Sequence, residues 1–169
     1  MKSLIRFEPV TELHKPILRE WLSRPHAQEW WGAVDEEIAL IYDDKGEHEP
    51  FIALVNGESI AYIQAWWPSK HPDLPWQHKM TLTTRGIDIT IGDFLNLGKG
   101  LGSMIIKHFA VKLFSEGATR LVIDPDITNK RAVAAYTKAG FEAYDTYKTE
   151  EGIDLLMELF PNDGCGGVK

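Results

Sequence analysis

Three glycines, Gly98, Gly100 and Gly102, fall within five positions of the stretch LGKGLG (97–102), directly ahead of the helix-like run SMIIKHF. A helix N-terminus exposes unpaired N–H groups and the positive end of the helix dipole. Glycines let such a backbone curl and approach a bulky anion closely. Lys99 adds a positive charge. Gly98, Lys99, Gly100, Leu101, Gly102 and Ser103 therefore read as a phosphate cradle. Neither GxGxxG nor GxxxxGK[ST] is satisfied, so the two common nucleotide fingerprints are excluded. The alternative is a plain strand-to-helix turn that is merely rich in glycine.

Two further groups carry chemistry. In RGIDITI, strand alternation predicts Ile87, Ile89 and Ile91 on one face, with Asp88 and Thr90 on the other. Asp88 then stands on a strand that leads straight into the glycine turn. It could accept a proton from an amine, or it could be a surface aspartate in a salt bridge. In NKRAVAAYTKAGF, the residues Asn129, Ala132, Val133 and Tyr136 recur at helical spacing and share one face. At ~1.5 Å per residue, Asn129 and Tyr136 lie about 10 Å apart along the axis. Tyr136 is either a general acid or a half-buried aromatic ending a helix.

The elements that must position these groups follow from local patterning. LIRFEPV (4–10) alternates like a strand. A helix is expected from Leu13 to Leu22 with Thr11 as its cap, and a second, capped by Asp35, runs to Tyr42. FIALVNGESIAYIQAWW (51–67) reads as two strands around Asn56-Gly57, a strong hairpin signal. Residues 68–78 read as a long loop, and 82–91 return to strand. A helix is expected over about 101–115 and a short strand over 120–124. A helix capped by Thr128 and ended by Gly140 follows, and two strands close the chain around Glu151-Gly152. The order is β-α-α-β-β-β-α-β-α-β-β. This is an α/β or α+β domain with a mixed sheet, antiparallel through its hairpins and parallel across the 82–124 crossover.

Composition narrows the function classes. At 169 residues, 44% hydrophobic and 25% charged, the chain suits one globular domain, expected over 1–161 with a flexible tail at 162–169. A net charge of −7 argues against nucleic acid as a partner and suits a cationic small molecule. No apolar run approaches the roughly 20 residues needed to span a bilayer. MKSLIRFEPV lacks the features of a signal peptide, so no membrane association and a cytoplasmic location are expected. Cys165 is expected to be a bystander. His71 and His78 flank a proline-rich loop without a ligand pattern, and no metal is expected.

The glycine turn and the following helix-strand-helix resemble the acyl-CoA motif of the GNAT N-acetyltransferases. Their pattern [Q/R]xxGx[G/A] falls on Leu97, Gly100 and Gly102, with Leu97 replacing the usual Gln or Arg. That leaves backbone N–H groups and Lys99 to hold the pyrophosphate of acetyl-CoA. The resemblance implies that Asn129 binds pantetheine, that Tyr136 lies near the thioester sulfur, and that backbone at Ile89, Thr90 and Ile91 polarises the carbonyl. HAQEWWG, EPFIALVNGESIAYIQ, RGIDITIGDFLNLGKGLG and IDPDITNKRAVAAYTKAGFE together resemble the aminoglycoside 6'-N-acetyltransferases, from about residue 12 to 158. The acceptor pocket implied by that likeness includes Trp30, Trp31, Tyr42, Asp73, Trp76, Asp88, Asp124 and Glu151. Carboxylates can hydrogen-bond ammonium groups, and aromatic faces can pack on sugar rings or cations.

The expected chemistry is direct attack of a primary amine on acetyl-CoA in a ternary complex, with Asp88 accepting or relaying the amine proton. Tyr136 protonates the leaving thiolate, since a phenol's ordinary pKa of ~10 exceeds a thiol's ~8.5. The most favoured acceptor is the 6'-amine of an aminoglycoside. A siderophore precursor, polyamine or peptide amine is the alternative acceptor, and a non-catalytic acyl-CoA sensor is the alternative of another class. Oligomeric state is not encoded in any of these motifs.

Overall fold

The computed structural model describes residues 3–43, 45–76 and 79–162. Cys165, His78 and most of the expected tail lie outside the described residues. The strands are β1 (Ile5–Pro9), β2 (His48–Val55), β3 (Glu58–Trp66), β4 (Thr84–Ile91), β5 (Arg120–Ile123), β6 (Glu142–Lys148) and β7 (Ile153–Leu159). The helices are α1 (Lys15–Leu22), α2 (Pro25–Gln28), α3 (Val34–Ile41), α4 (Leu101–Ser115) and α5 (Lys130–Ala139). The seven strands form one mixed sheet in the order β1-β2-β3-β4-β5-β7-β6. The pairs β1–β2, β2–β3, β5–β7 and β6–β7 are antiparallel. β4 and β5 are parallel, as the crossover pattern requires.

The chain divides into two compact units, residues 1–66 with 88–105, and residues 67–87 with 106–169. In the first, α1 buries Leu18, Trp21 and Leu22, the i, i+3, i+4 stripe of an amphipathic helix. They join Ile38, Ile41, Ile52 and Tyr62 in one cluster, with Val10, Trp31 and Tyr42 packed against it. The Asn56-Gly57 turn also ties down the chain start: Asn56 N–H donates to the Leu4 carbonyl at 2.8 Å, and Leu4 N–H donates to Asn56 Oδ1 at 2.9 Å.

In the second unit Phe141, Leu121, Val122, Leu156 and Met157 are buried. Its β4–β5 register runs through Thr84↔Arg120, Arg85↔Leu121 and Gly86↔Val122. β4 then continues five residues to Ile91, whereas β5 ends at Ile123.

Several local expectations need correction. Thr11 caps a 3-10 turn over Glu12–His14 rather than α1 itself, and its N–H donates to His14 Nδ1 at 3.0 Å. α3 is capped by Ala33, and Asp35 lies inside its first turn, where it pairs with Arg19 at 2.7 Å. α5 is capped by Asn129, one residue later than expected. Asn129 Oδ1 accepts from Ala132 N–H at 3.1 Å, whereas the Thr128 hydroxyl is drawn back to Asp126. The loop after β3 contains a 3-10 turn at Pro68–Lys70, and β4 begins at Thr84, two residues later than alternation suggested. Ile87 is fully buried, but Ile89 and Ile91 are only half-buried, while Thr90 on the opposite face is buried. A strand inside the sheet has both faces available for covering, so alternation alone does not name its apolar side.

Candidate active site

Asp88 is held from β3. Tyr62 and Gln64 are two residues apart on that strand and project from the same face. The Tyr62 hydroxyl donates to Gln64 Oε1 at 2.7 Å, and Gln64 Nε2 donates to Asp88 Oδ2 at 2.7 Å. Tyr62 is 0% exposed. Burial pushes its phenol well above the ordinary tyrosine range, and the charge of Asp88 adds to the effect. Trp31 meets the Tyr62 ring edge-on, with centroids 5.8 Å apart.

The aromatic residues expected at the acceptor differ in placement. Trp31 packs on the core cluster, whereas its neighbour Trp30 is 36% exposed. Both are positioned by α2, because their N–H groups donate to the Ala27 carbonyl at 3.0 and 2.8 Å. Tyr42 closes α3, and its hydroxyl donates to the Thr11 carbonyl at 2.8 Å, with Lys15 Nζ 4.6 Å from the ring centre. Its phenol is raised by burial and then by Glu12.

The end of β4 and the glycine turn belong to the same unit. His26 Nε2 lies 2.8 Å from the Ile91 carbonyl, Gly92 N–H donates to the Ile60 carbonyl at 2.8 Å, and Asp93 pairs with Arg24 at 3.3 Å. A 3-10 turn over Phe94–Asn96, capped by Asp93, delivers the chain to Gly98. Gly98 and Gly100 have φ of 75° and 78°, in the left-handed region that side chains disfavour. Lys99 between them is exposed, and Leu101 and Gly102 are half-buried. Met104 N–H donates to the Gly100 carbonyl at 3.2 Å, which leaves the first-turn N–H groups of Leu101, Gly102 and Ser103 without a carbonyl one turn back. The buried Ser103 hydroxyl donates to the same carbonyl at 3.0 Å.

In the second unit, Tyr136 is 6% exposed and tilts against Phe141, 6.2 Å between ring centres. Gly140, left-handed at the C-cap, turns the chain so that Phe141 N–H donates to the Tyr136 carbonyl at 3.0 Å. Asp124 follows β5 and is half-buried, Asp73 is exposed, and Trp76 is 5% exposed. Glu151 is exposed in the turn between β6 and β7, where its N–H donates to Thr149 Oγ1 at 3.2 Å. Asp154, bridged through its backbone to Asp126, has its carboxyl pushed up by burial and then by the charges of Asp126 and Glu151. Asp126 is shifted the other way, because the Thr128 hydroxyl and N–H both donate to it. Among the described residues no group of three or more His, Cys, Asp or Glu could hold a metal ion, and no helix is long and apolar enough to cross a membrane.

The family model for the acetyltransferase (GNAT) domain matches residues 11–149. The chain belongs to the GNAT acetyltransferases. This acetyltransferase is 34% identical over 159 residues to aminoglycoside N(6')-acetyltransferase type 1 of Klebsiella pneumoniae, across 88% of its own length and 79% of the relative's. It also superposes on AAC(6')-Ib in complex with ribostamycin and coenzyme A, with a TM-score of 0.85, 31% identity, and coverage of 92% and 93% of the two chains. Against AAC(6')-Ib with coenzyme A and kanamycin the TM-score is again 0.85 at 31% identity, covering 93% and 95%.

The acetyltransferase's own residues fit the acyl-CoA that this family uses. Two left-handed glycines open the first turn of a 15-residue helix, and no atom lies within 4 Å of where a Cβ on Gly98 would stand. Sequence reading missed Tyr62, Gln64, His26, Asp126 and Asp154. A glutamine in a strand carries no signature. Its pairing with Asp88 emerges only when β3 and β4 are neighbours. His26 stands within HAQEWWG, which carries the resemblance without giving it a role, and its contact with the Ile91 carbonyl emerges only in the fold.

Proposed function

We propose that the enzyme transfers an acetyl group from acetyl-CoA to the 6'-amine of an aminoglycoside. One observation carries the reading: the continuous segment 88–103 runs from a carboxylate held by hydrogen bond to the glycine turn, inside one compact unit. An acid that can take an amine proton thereby stands on the strand that leads into the anion cradle. The identity and coverage of the aminoglycoside-modifying relatives support the acceptor.

When bound, acetyl-CoA supplies the acetyl group as a thioester. The N–H groups of Gly98 to Ser103, with Lys99, would hold its phosphates, and Asn129 would bind the pantetheine arm. Backbone at Ile89, Thr90 and Ile91 orients the donor carbonyl. Asp88 accepts or relays the ammonium proton, and the Tyr136 hydroxyl holds the proton that the leaving sulfur takes up. Trp30, Trp31, Tyr42, Asp73, Trp76, Asp124 and Glu151 are assigned to the cationic acceptor, the carboxylates for its ammonium groups and the aromatics for its rings. The two compact units are read as parts of one catalytic domain, which the span of the family match supports. The net charge of −7 favours a cationic acceptor over nucleic acid. A cytoplasmic location follows from the same reading.

Free-thiol release from acetyl-CoA in a panel of kanamycin, tobramycin, polyamines, hydroxylysine-like amines and peptide amines tests the acceptor. Fast turnover of kanamycin or tobramycin supports the reading. Activity confined to the other amines, or acetyl-CoA binding with no turnover, sinks it.

A further inference from the structure

We propose that Tyr62 and Gln64 are positioning residues for Asp88: the Tyr62 hydroxyl sets the Gln64 amide, and that amide fixes the carboxylate toward the acceptor amine. The inference rests on the reading of Asp88 as the proton-accepting group.

The direction of the chain is determined by what each group can do. An ionised carboxylate only accepts, so Asp88 Oδ2 requires the NH2 end of the Gln64 side chain, 2.7 Å away. Turned over, the amide would set its own carbonyl oxygen against that charge. Shape does not choose between the two orientations, because the ends of the amide are alike in size. Asp88 selects the NH2 end, and Tyr62 reinforces that choice from the other side by donating to Oε1 at 2.7 Å. Burial, together with the nearby charges of Asp88 and Glu37 and the neighbouring Tyr42, keeps the phenol protonated, so it remains a donor. Tyr62 is 0% exposed, and Trp31 closes on its ring edge. Its hydroxyl is therefore closed to solvent, and the hydrogen bond it donates leads to Gln64. A network whose members all find partners fixes one geometry, and a carboxylate held in one plane is what proton transfer from a positioned amine needs.

The test is a double-mutant cycle in acetylation. The acceptor is kanamycin, or the panel amine that releases thiol fastest. The variants are Gln64→Glu, Tyr62→Phe, Asp88→Asn and the Tyr62→Phe/Asp88→Asn double. Gln64→Glu keeps the acceptor for Tyr62 but replaces the donor to Asp88 with a second carboxylate. It is expected to lower kcat by about tenfold or more, with acetyl-CoA Kd changed by less than about twofold. Tyr62→Phe is expected to lower kcat by about three- to tenfold in the wild-type background, and by less than about twofold in the residual activity of Asp88→Asn. Full kcat in either single variant overturns the proposal. So does a Tyr62→Phe loss of equal size in both backgrounds, which marks a merely structural role. Tyr62→Phe conserves volume and decides the matter even if Gln64→Glu does not fold. Wild-type kinetics in Asp88→Asn would instead remove Asp88 from the reaction, a result separate from failure of the relay alone.

Discussion

The Gly92 backbone lies directly against the indole of Trp21, so that a Cβ on Gly92 would overlap the ring. Trp21 is 5% exposed and belongs to the core cluster of the first unit. The contact seats α1 on the residue that separates β4 from the glycine turn. His26 at the Ile91 carbonyl and Arg24 at Asp93 reinforce it on either side.

Gly92→Ala should therefore act as an overpacking change. A buried indole has little room to withdraw, and such insertions cost about 1–3 kcal/mol. Urea unfolding should show a lower midpoint at unchanged slope, equivalent to a stability loss of that size. An unaltered midpoint would mean that the backbone between β4 and α4 shifts freely, against the picture of a rigid approach to the turn.

The glycine turn separates conformation from space. Gly98 has open surroundings but a φ of 75°, so Gly98→Ala should fail through backbone strain rather than collision. Asparagine tolerates the left-handed region better than alanine. Acetyl-CoA Kd from calorimetry should rise for Gly98→Ala and be partly restored in Gly98→Asn. Equal affinities for the two would indicate that the cradle does not depend on that conformation.

What the sequence discloses about this fold is what local chemistry determines. Asn56-Gly57 names its hairpin because few dipeptides suit that turn, and LGKGLG names the opening of α4 for a similar reason. α2 escapes notice because four residues, Pro25–Gln28, are too few for a helical period to register. The N-cap of α5 moves from Thr128 to Asn129 because both can cap, and Asp126 claims the threonine. The half-exposure of Ile89 and Ile91 and the Tyr62–Gln64–Asp88 chain depend on which strands lie side by side, and that is a property of the sheet rather than of any segment. The candidate donor site is thus largely legible along the chain. The groups that orient its carboxylate are not.

Tyr136→Phe tests the leaving-group role. The ring is buried against Phe141, so losing only the hydroxyl should preserve packing. If the phenol holds the proton for the sulfur, kcat should fall by about 10²-fold or more while acetyl-CoA Kd changes little. Thermal unfolding run in parallel shows whether the fold is intact. Unchanged kcat, with chemistry shown to be rate-limiting, would remove Tyr136 from the mechanism.

The carboxylates around the start of β7 predict a pH signature. Asp154 is raised by burial and then by Asp126 and Glu151, starting from an ordinary value of 3.8. A raised carboxyl binds its proton more tightly in the folded state. Its contribution is therefore favourable at pH below the unfolded value and is lost as pH rises through the folded one. Asp154→Asn removes the ionising group and should raise the unfolding midpoint at pH 7, with the gain vanishing below about pH 4. Asp126, lowered by its bonds from Thr128, works in the opposite sense, so its contribution is present above the ordinary carboxylate value and lost in acid. Asp126→Asn should accordingly lower the midpoint at pH 7 and lose its effect in acid. If thermal melts between pH 3 and pH 8 show Asp154→Asn unchanged or lowered in midpoint at neutral pH, the repulsion assigned to Asp154 is wrong. A smaller Asp154→Asn gain in the presence of saturating kanamycin would further mark these carboxylates as a place where a cationic ligand relieves that repulsion.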